Sequence, residues 1–145
     1  MAEVIRRKPK ARWLFLTLTV KNVYDGEELN RNLSEMARGF RKMVQYKKVA
    51  KNMIGFMRAS EVTVNSKDHS YNQHLHVLLC VESTYFKNQN NYIKQNEWTQ
   101  FWKKAMKLNY TPVVNVQAIK PKKEKSDIAS AVDETAKYPV KARTI

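Results

Sequence analysis

The sequence predicts an α+β domain, an antiparallel sheet of about five strands with helices packed on it. Three observations carry this expectation. Separate runs at 13–20, 54–64, 74–81 and 112–118, alternating in part and continuously apolar in part, read as strands. Two stretches between those runs carry apolar residues at helical spacing instead. A polar segment, Asn65-Ser66-Lys67-Asp68-His69-Ser70, joins the second and third runs with the chemistry of a hairpin loop.

The first run puts Leu14, Leu16, Leu18 and Val20 on one face and Phe15, Thr17 and Thr19 on the other. Asp25, with Glu28 three residues on, resembles a capping box. Behind it Leu29, Leu33, Met36, Phe40, Met43 and Val44 keep helical spacing to about Tyr46. After the hairpin, 85–96 is polar and Asn-rich, a loop. Trp98, Phe101, Trp102, Ala105 and Leu108 then mark a second amphipathic helix whose stripe is core packing. Pro112 opens a strand in which Val114, Val116 and Ala118 alternate with Asn115 and Gln117. A basic linker, 120–125, leads to a helix capped by Ser126 and running to about Lys137, which Pro139 ends. This order, β-α-β-β-α-β-α, is close to the split β-α-β of ferredoxin-like and RNA-recognition-like folds. One detail is out of phase. With Val62 and Val64 on the core face, Arg58 and Ser60 fall on it too, which predicts a bulge or an exposed strand start near Ala59.

At 145 residues the chain is expected to form one domain, 13–145, behind a flexible basic arm, 1–12. Lys and Arg number 27 against 13 Asp and Glu, a net charge of +14. That excess points to a polyanion, and nucleic acid fits better than a membrane, since no apolar run approaches a bilayer span. The basic N-terminus lacks the apolar segment of a secretory signal. The single cysteine, Cys80, excludes an intramolecular disulfide and fits a reducing cytoplasm. The end at Thr144-Ile145, without a polar tail or helix stop, suggests a domain cut from a longer protein.

The chemistry concentrates in Tyr71-Asn72-Gln73-His74-Leu75-His76-Val77-Leu78-Leu79. On a strand His74 and His76 project from one side, about 7 Å apart along the backbone, half of a divalent metal site. The hairpin supplies a carboxylate: a turn centred between Lys67 and Asp68 sets Glu61 directly opposite His74. Glu61, His74 and His76 together offer mixed nitrogen and oxygen ligands suited to Mn²⁺ or Mg²⁺ acting on phosphoryl oxygens. His69, in the loop, reads as a surface residue. Further along, Glu134 and Tyr138 stand four apart on one helix face, flanked by Lys137 and Lys141. A phenol near a metal and cationic side chains can attack a phosphodiester, although the same residues suit the end of an ordinary amphipathic helix.

These residues resemble the HUH (His-hydrophobic-His) endonucleases, and within them the rolling-circle plasmid replication initiators. Phe15-Leu16-Thr17-Leu18-Thr19 resembles that family's first motif, the His74–His76 strand its metal-binding second, and Glu134-Thr135-Ala136-Lys137-Tyr138-Pro139-Val140-Lys141 its third. Gln73 departs from the pattern, where a proline is frequent. The resemblance implies that Tyr138 nicks one strand at the plasmid's double-strand origin, as single-stranded or hairpin DNA, and stays joined to the 5′ end. Lys141 matches the family's lysine three residues beyond the tyrosine. Glu134 matches the glutamate of a single-tyrosine branch, in which it activates water for the terminating cleavage. A host helicase and polymerase are the implied partners. DNA contacts are expected from Arg6, Arg7, Lys8, Lys10 and Arg12, from Thr17 and Thr19, and from Lys120, Lys122, Lys123, Lys125 and Lys137. The competing readings are a transposase or relaxase of the same fold, and a non-enzymatic single-stranded nucleic-acid-binding module. A relaxase resemblance would call for a third histidine and a tyrosine near the N-terminus. A binding module would call for aromatics where the central strands carry Glu61, His74 and His76.

Overall fold

The strand β1, Arg12–Val23, lies inside the sheet with a neighbour on each side, and its alternating side chains serve two faces at once. Leu14, Leu16, Leu18 and Val20 are buried on one face, and Trp13, Phe15, Thr17 and Thr19 occupy the other. In this computed structural model residues 10–119 are described, together with the backbone of Ala142–Thr144. The other elements are α1 (Gly26–Met43), a short α2 (Lys47–Ala50), β2 (Met53–Val64), β3 (Tyr71–Val81), a 3-10 turn (Ser83–Tyr85), α3 (Gln95–Met106), β4 (Val114–Ala118) and β5 (Ala142–Thr144). The sheet order is β4-β1-β3-β2-β5. The four longer strands are antiparallel, as expected, and β5 adds a short edge parallel to β2 that no alternation announced.

Both long helices pack on one face of this sheet. Asp25 caps α1, its carboxylate accepting from the Glu27 amide at 3.3 Å rather than forming the reciprocal pair expected with Glu28. Met36, Phe40 and Met43 of α1 and Trp98, Trp102 and Ala105 of α3 meet Leu14, Leu16, Leu18, Leu75, Val77 and Leu79 in the main core. Trp102 also donates its indole N–H to the Thr19 carbonyl at 2.8 Å, fixing α3 to β1. Gly39 lets the two helices approach; a Cβ there would collide with the Met106 thioether. The hairpin between β2 and β3 has the anticipated register, with Glu61 opposite His74.

Neither the bulge nor the exposed strand start expected near Ala59 is there; β2 begins at Met53. Pairing of β2 with β3 runs unbroken from 55 to 64, and the irregularity lies at Met53/Gly55. Arg58 and Ser60 tolerate the core phase for a different reason: they are only partly buried, on a stretch of β2 that β5 leaves unpaired among the described residues. Arg12, expected as the last residue of a free arm, is the first of β1, with its guanidinium 4.3 Å above the Phe86 ring on the helix side. Arg6, Arg7 and Lys8, Lys120, Lys122, Lys123 and Lys125, and the helix expected at 126–137 with Glu134, Lys137, Tyr138 and Lys141, lie outside the described residues. Among the described residues no helix is long and apolar enough to cross a membrane.

Candidate metal and nucleic-acid site

The face of the sheet opposite the helices is divided along its length. Toward one end Trp13, Leu78 and Cys80 are buried with Ala11 in a second apolar cluster that Phe15 and Met57 flank. Toward the other end the three central strands change chemistry together: Thr17 pairs with His76 and Thr19 with His74 across β1 and β3, while Ala59 pairs with His76 and Glu61 with His74 across β2 and β3. The alternation that fills the core with leucine and valine on one face therefore presents two threonines, two histidines and a carboxylate on the other.

The carboxylate does not stay with its backbone partner. Glu61 Oε1 lies 3.1 Å from His76 Nε2, its diagonal neighbour, and 3.8 Å from His74 Nδ1, directly opposite. Across from His76, β2 carries only the methyl group of Ala59. The two imidazoles lie nearly parallel, with centroids 6.0 Å apart. Glu61 and His76 are buried at 8 % and 9 % exposure, so their charges are only weakly screened by water. Behind them Thr17 Oγ1 stands 3.4 Å from His76 Nδ1, and Phe15 packs against the same ring at 5.9 Å between centroids. A hydroxyl both donates and accepts, so Thr17 can partner either tautomer of His76. Burial pushes His74 below the ordinary imidazole range, the Glu61 carboxylate opposing this and His76 adding to it. Burial thus favours the neutral ring of His74, the form with a lone pair to give.

Does this cluster suit a cation? As the side chains stand, Glu61 and His76 bond to each other, and among the described residues no group of three or more His, Cys, Asp or Glu is set round a common point as ligands are. The donor chemistry does suit one. Two imidazoles and a carboxylate are a mixed set for Mn²⁺ or Mg²⁺, and the buried Nδ1 of His74 has no hydrogen-bond partner. A ring nitrogen buried without a hydrogen-bond partner is costly, and an ion shared with Glu61 and His76 would remove that cost.

Of the other expected contacts, Thr17 supports His76, while the Thr19 hydroxyl donates to the Val113 carbonyl at 2.8 Å. Lys10 is exposed just before β1, and Arg12 belongs to the helix side. His69 sits in the hairpin loop at φ 60, away from the cluster. Sequence reasoning missed a cleft of 590 Å³ beside His74, lined by 19–22, 72–74 and 110–113. Its only advance signal was Asn109-Tyr110-Thr111-Pro112, a helix-breaking stretch between α3 and β4.

The sequence profile of a family described as a replication protein matches residues 1–145. A replication protein of Staphylococcus aureus is 72 % identical over 142 residues, covering 97 % of this chain and 60 % of its own length. A protein rep of Lactiplantibacillus plantarum is 54 % identical over 144 residues, covering 98 % of this chain and 45 % of its own. One of Streptococcus pneumoniae is 44 % identical over 140 residues, covering 96 % and 43 %. The chain thus spans 60 % or less of the length of each of these relatives. No solved structure matches it. With a family profile aligned from the first residue to the last, the chain belongs to the Rep_1 family of replication proteins, the rolling-circle plasmid initiators.

Proposed function

We propose that this chain is the nicking domain of a plasmid replication initiator, cutting one strand of origin DNA through a covalent phosphotyrosine. The observation that carries the reading is the meeting of Glu61, His74 and His76 on the central strands, in a protein of net charge +14. These three side chains would hold Mn²⁺ or Mg²⁺. When bound, the ion supplies Lewis-acid polarisation of a phosphodiester.

The nucleophile is Tyr138. It precedes Ala142 by four residues, and the backbone of Ala142 pairs with Val62, next to Glu61. Four residues of chain reach about 14 Å, enough to bring a phenol to the cluster. The Tyr138 oxygen forms a bond to phosphorus as the bond to the 3′ oxygen breaks, leaving a 5′-phosphotyrosine and a 3′-hydroxyl that takes up the proton. Lys137 and Lys141 stabilise the charge that develops on the phosphoryl oxygens. The free 3′-hydroxyl primes synthesis by a host polymerase behind a host helicase. Glu134 later removes a proton from water for the second cleavage, since a carboxylate can act as base without forming another stable DNA ester. A module that only stacked bases would carry aromatics, rather than three ionisable groups, at 61, 74 and 76.

Labelled single-stranded origin DNA with Mn²⁺, resolved on a denaturing gel, tests this. The expected result is a protein–DNA adduct that Tyr138→Phe abolishes. An adduct that survives this substitution, or none with the wild-type protein, contradicts it.

A further inference from the structure

The cleft beside His74 has no role in the chemistry above, yet it shares a wall with it. It is bounded by 19–22 of β1, 72–74 of β3 and 110–113, the segment that leads into β4. At 590 Å³ it has the size of a ligand pocket rather than a hydration site. Three bonds fix its walls. The Thr19 hydroxyl donates to the Val113 carbonyl at 2.8 Å, the Lys21 amide donates to the Tyr110 hydroxyl at 2.8 Å, and the Gln95 amide donates to the Val114 carbonyl, tying the same segment to α3. Pro112, buried, has no free φ. A cleft built this way exists before anything binds, so little ordering entropy is lost on binding.

Its lining is selective in charge and in shape. Among the described residues that line it there is one lysine, Lys21, and no carboxylate. The Lys21 ammonium lies 4.8 Å from the centroid of the Tyr110 ring, so a cation and an aromatic face share the site. Asn22 and Asn72 add amides that both donate and accept, Asn22 already giving one N–H to the Ser70 hydroxyl at 2.8 Å. Val113, at the rim, is 74 % exposed, an apolar surface with nothing over it among the described residues. An aromatic, an apolar rim, amides and one cation match an unpaired nucleotide: a base against Tyr110 and Val113, its edge toward the amides, its phosphate at Lys21.

We infer that this cleft is a nucleotide subsite, which seats one unpaired base of the DNA strand beside the cluster of Glu61, His74 and His76. The inference rests on the proposed nicking function, and it gives that function a means of fixing the strand before the cut. A base anchored here sets which phosphate reaches the metal ligands, so the cleft governs register and sequence preference.

The test is equilibrium binding, by fluorescence anisotropy in EDTA, of a labelled 20-nucleotide single-stranded DNA pool of random sequence. No cutting occurs under these conditions, so the result is independent of Tyr138. Val113→Glu adds an anion at an exposed position and leaves the fold intact; it is expected to weaken binding about tenfold or more. Lys21→Ala is expected to weaken it about fivefold, with a shallower dependence on salt. Binding by both variants within twofold of wild type overturns the subsite and leaves the nicking reading standing. Failure of the wild-type protein to bind the pool overturns both.

Discussion

The two faces of the sheet come from the same strands and obey opposite rules. On the helix side, Leu14, Leu16, Leu18, Leu75, Val77 and Leu79 meet Met36, Phe40, Trp98 and Trp102 in a continuous apolar core. On the other side, the half nearest Trp13 and Cys80 is apolar, but the half at Glu61, His74 and His76 gathers ionisable groups under partial burial. Hydrophobic burial stabilises the first arrangement, whereas the second keeps ionisable side chains largely out of water, which costs stability. The contrast teaches where the fold's stability and its chemistry separate: at the pleat, one residue apart along the same strand.

Substitutions on the two faces break the comparison in different ways. The largest expected effect on stability is Trp102→Ala, which empties the core between α3 and β1 and leaves the Thr19 carbonyl without its indole donor. Urea denaturation is expected to show a loss of about 3–5 kcal/mol. Glu61→Gln, on the other face, keeps the shape of the side chain and removes its charge. The expected change in stability is under about 1.5 kcal/mol in either direction, with metal-dependent nicking lost. A loss of stability at Glu61 as large as that at Trp102 would mean that the polar cluster is a structural core after all.

The smallest effect marks the outer surface. Lys48 Nζ lies 2.7 Å from Glu97 Oε2. That hydrogen bond, first, and the one from the Lys94 amide hold the Glu97 carboxyl below its ordinary range. A carboxyl whose pKa is lower folded than unfolded contributes stability above the unfolded value and loses it as pH falls through the folded one. Lys48→Met is therefore expected to cost about 0.2–1 kcal/mol at pH 7, and nothing at a pH acidic enough to protonate Glu97 in both states. A difference that persists in acid would assign the effect to packing.

Much of this was legible in the sequence where a symmetry or a period fixes geometry. A hairpin turn determines its register by counting outward from the centre, and that count alone matches Glu61 to His74. Helical stripes such as Trp98, Trp102 and Ala105 announce their buried face. What escaped depends on the third dimension. The lean of Glu61 toward His76, rather than toward its backbone partner His74, is a matter of side-chain packing, and pairing rules carry no such information. The phase of Arg58 reads as a bulge or an exposed strand start because nothing along the chain reveals that, among the described residues, β5 pairs with 62–64 of β2 and leaves 58–60 uncovered. The cleft at Lys21 and Tyr110 is built from three segments that are remote in sequence, so no local pattern could signal it.

The central claim is that Glu61, His74 and His76 form one cation site on the face that the helices leave uncovered. Isothermal titration of Mn²⁺ into the protein near neutral pH tests it without DNA and without cutting. One ion per chain is expected for wild type, and no detectable binding for the double variant His74→Ala, His76→Ala, provided its circular dichroism matches wild type. Unchanged Mn²⁺ affinity in that folded double variant would contradict the claim.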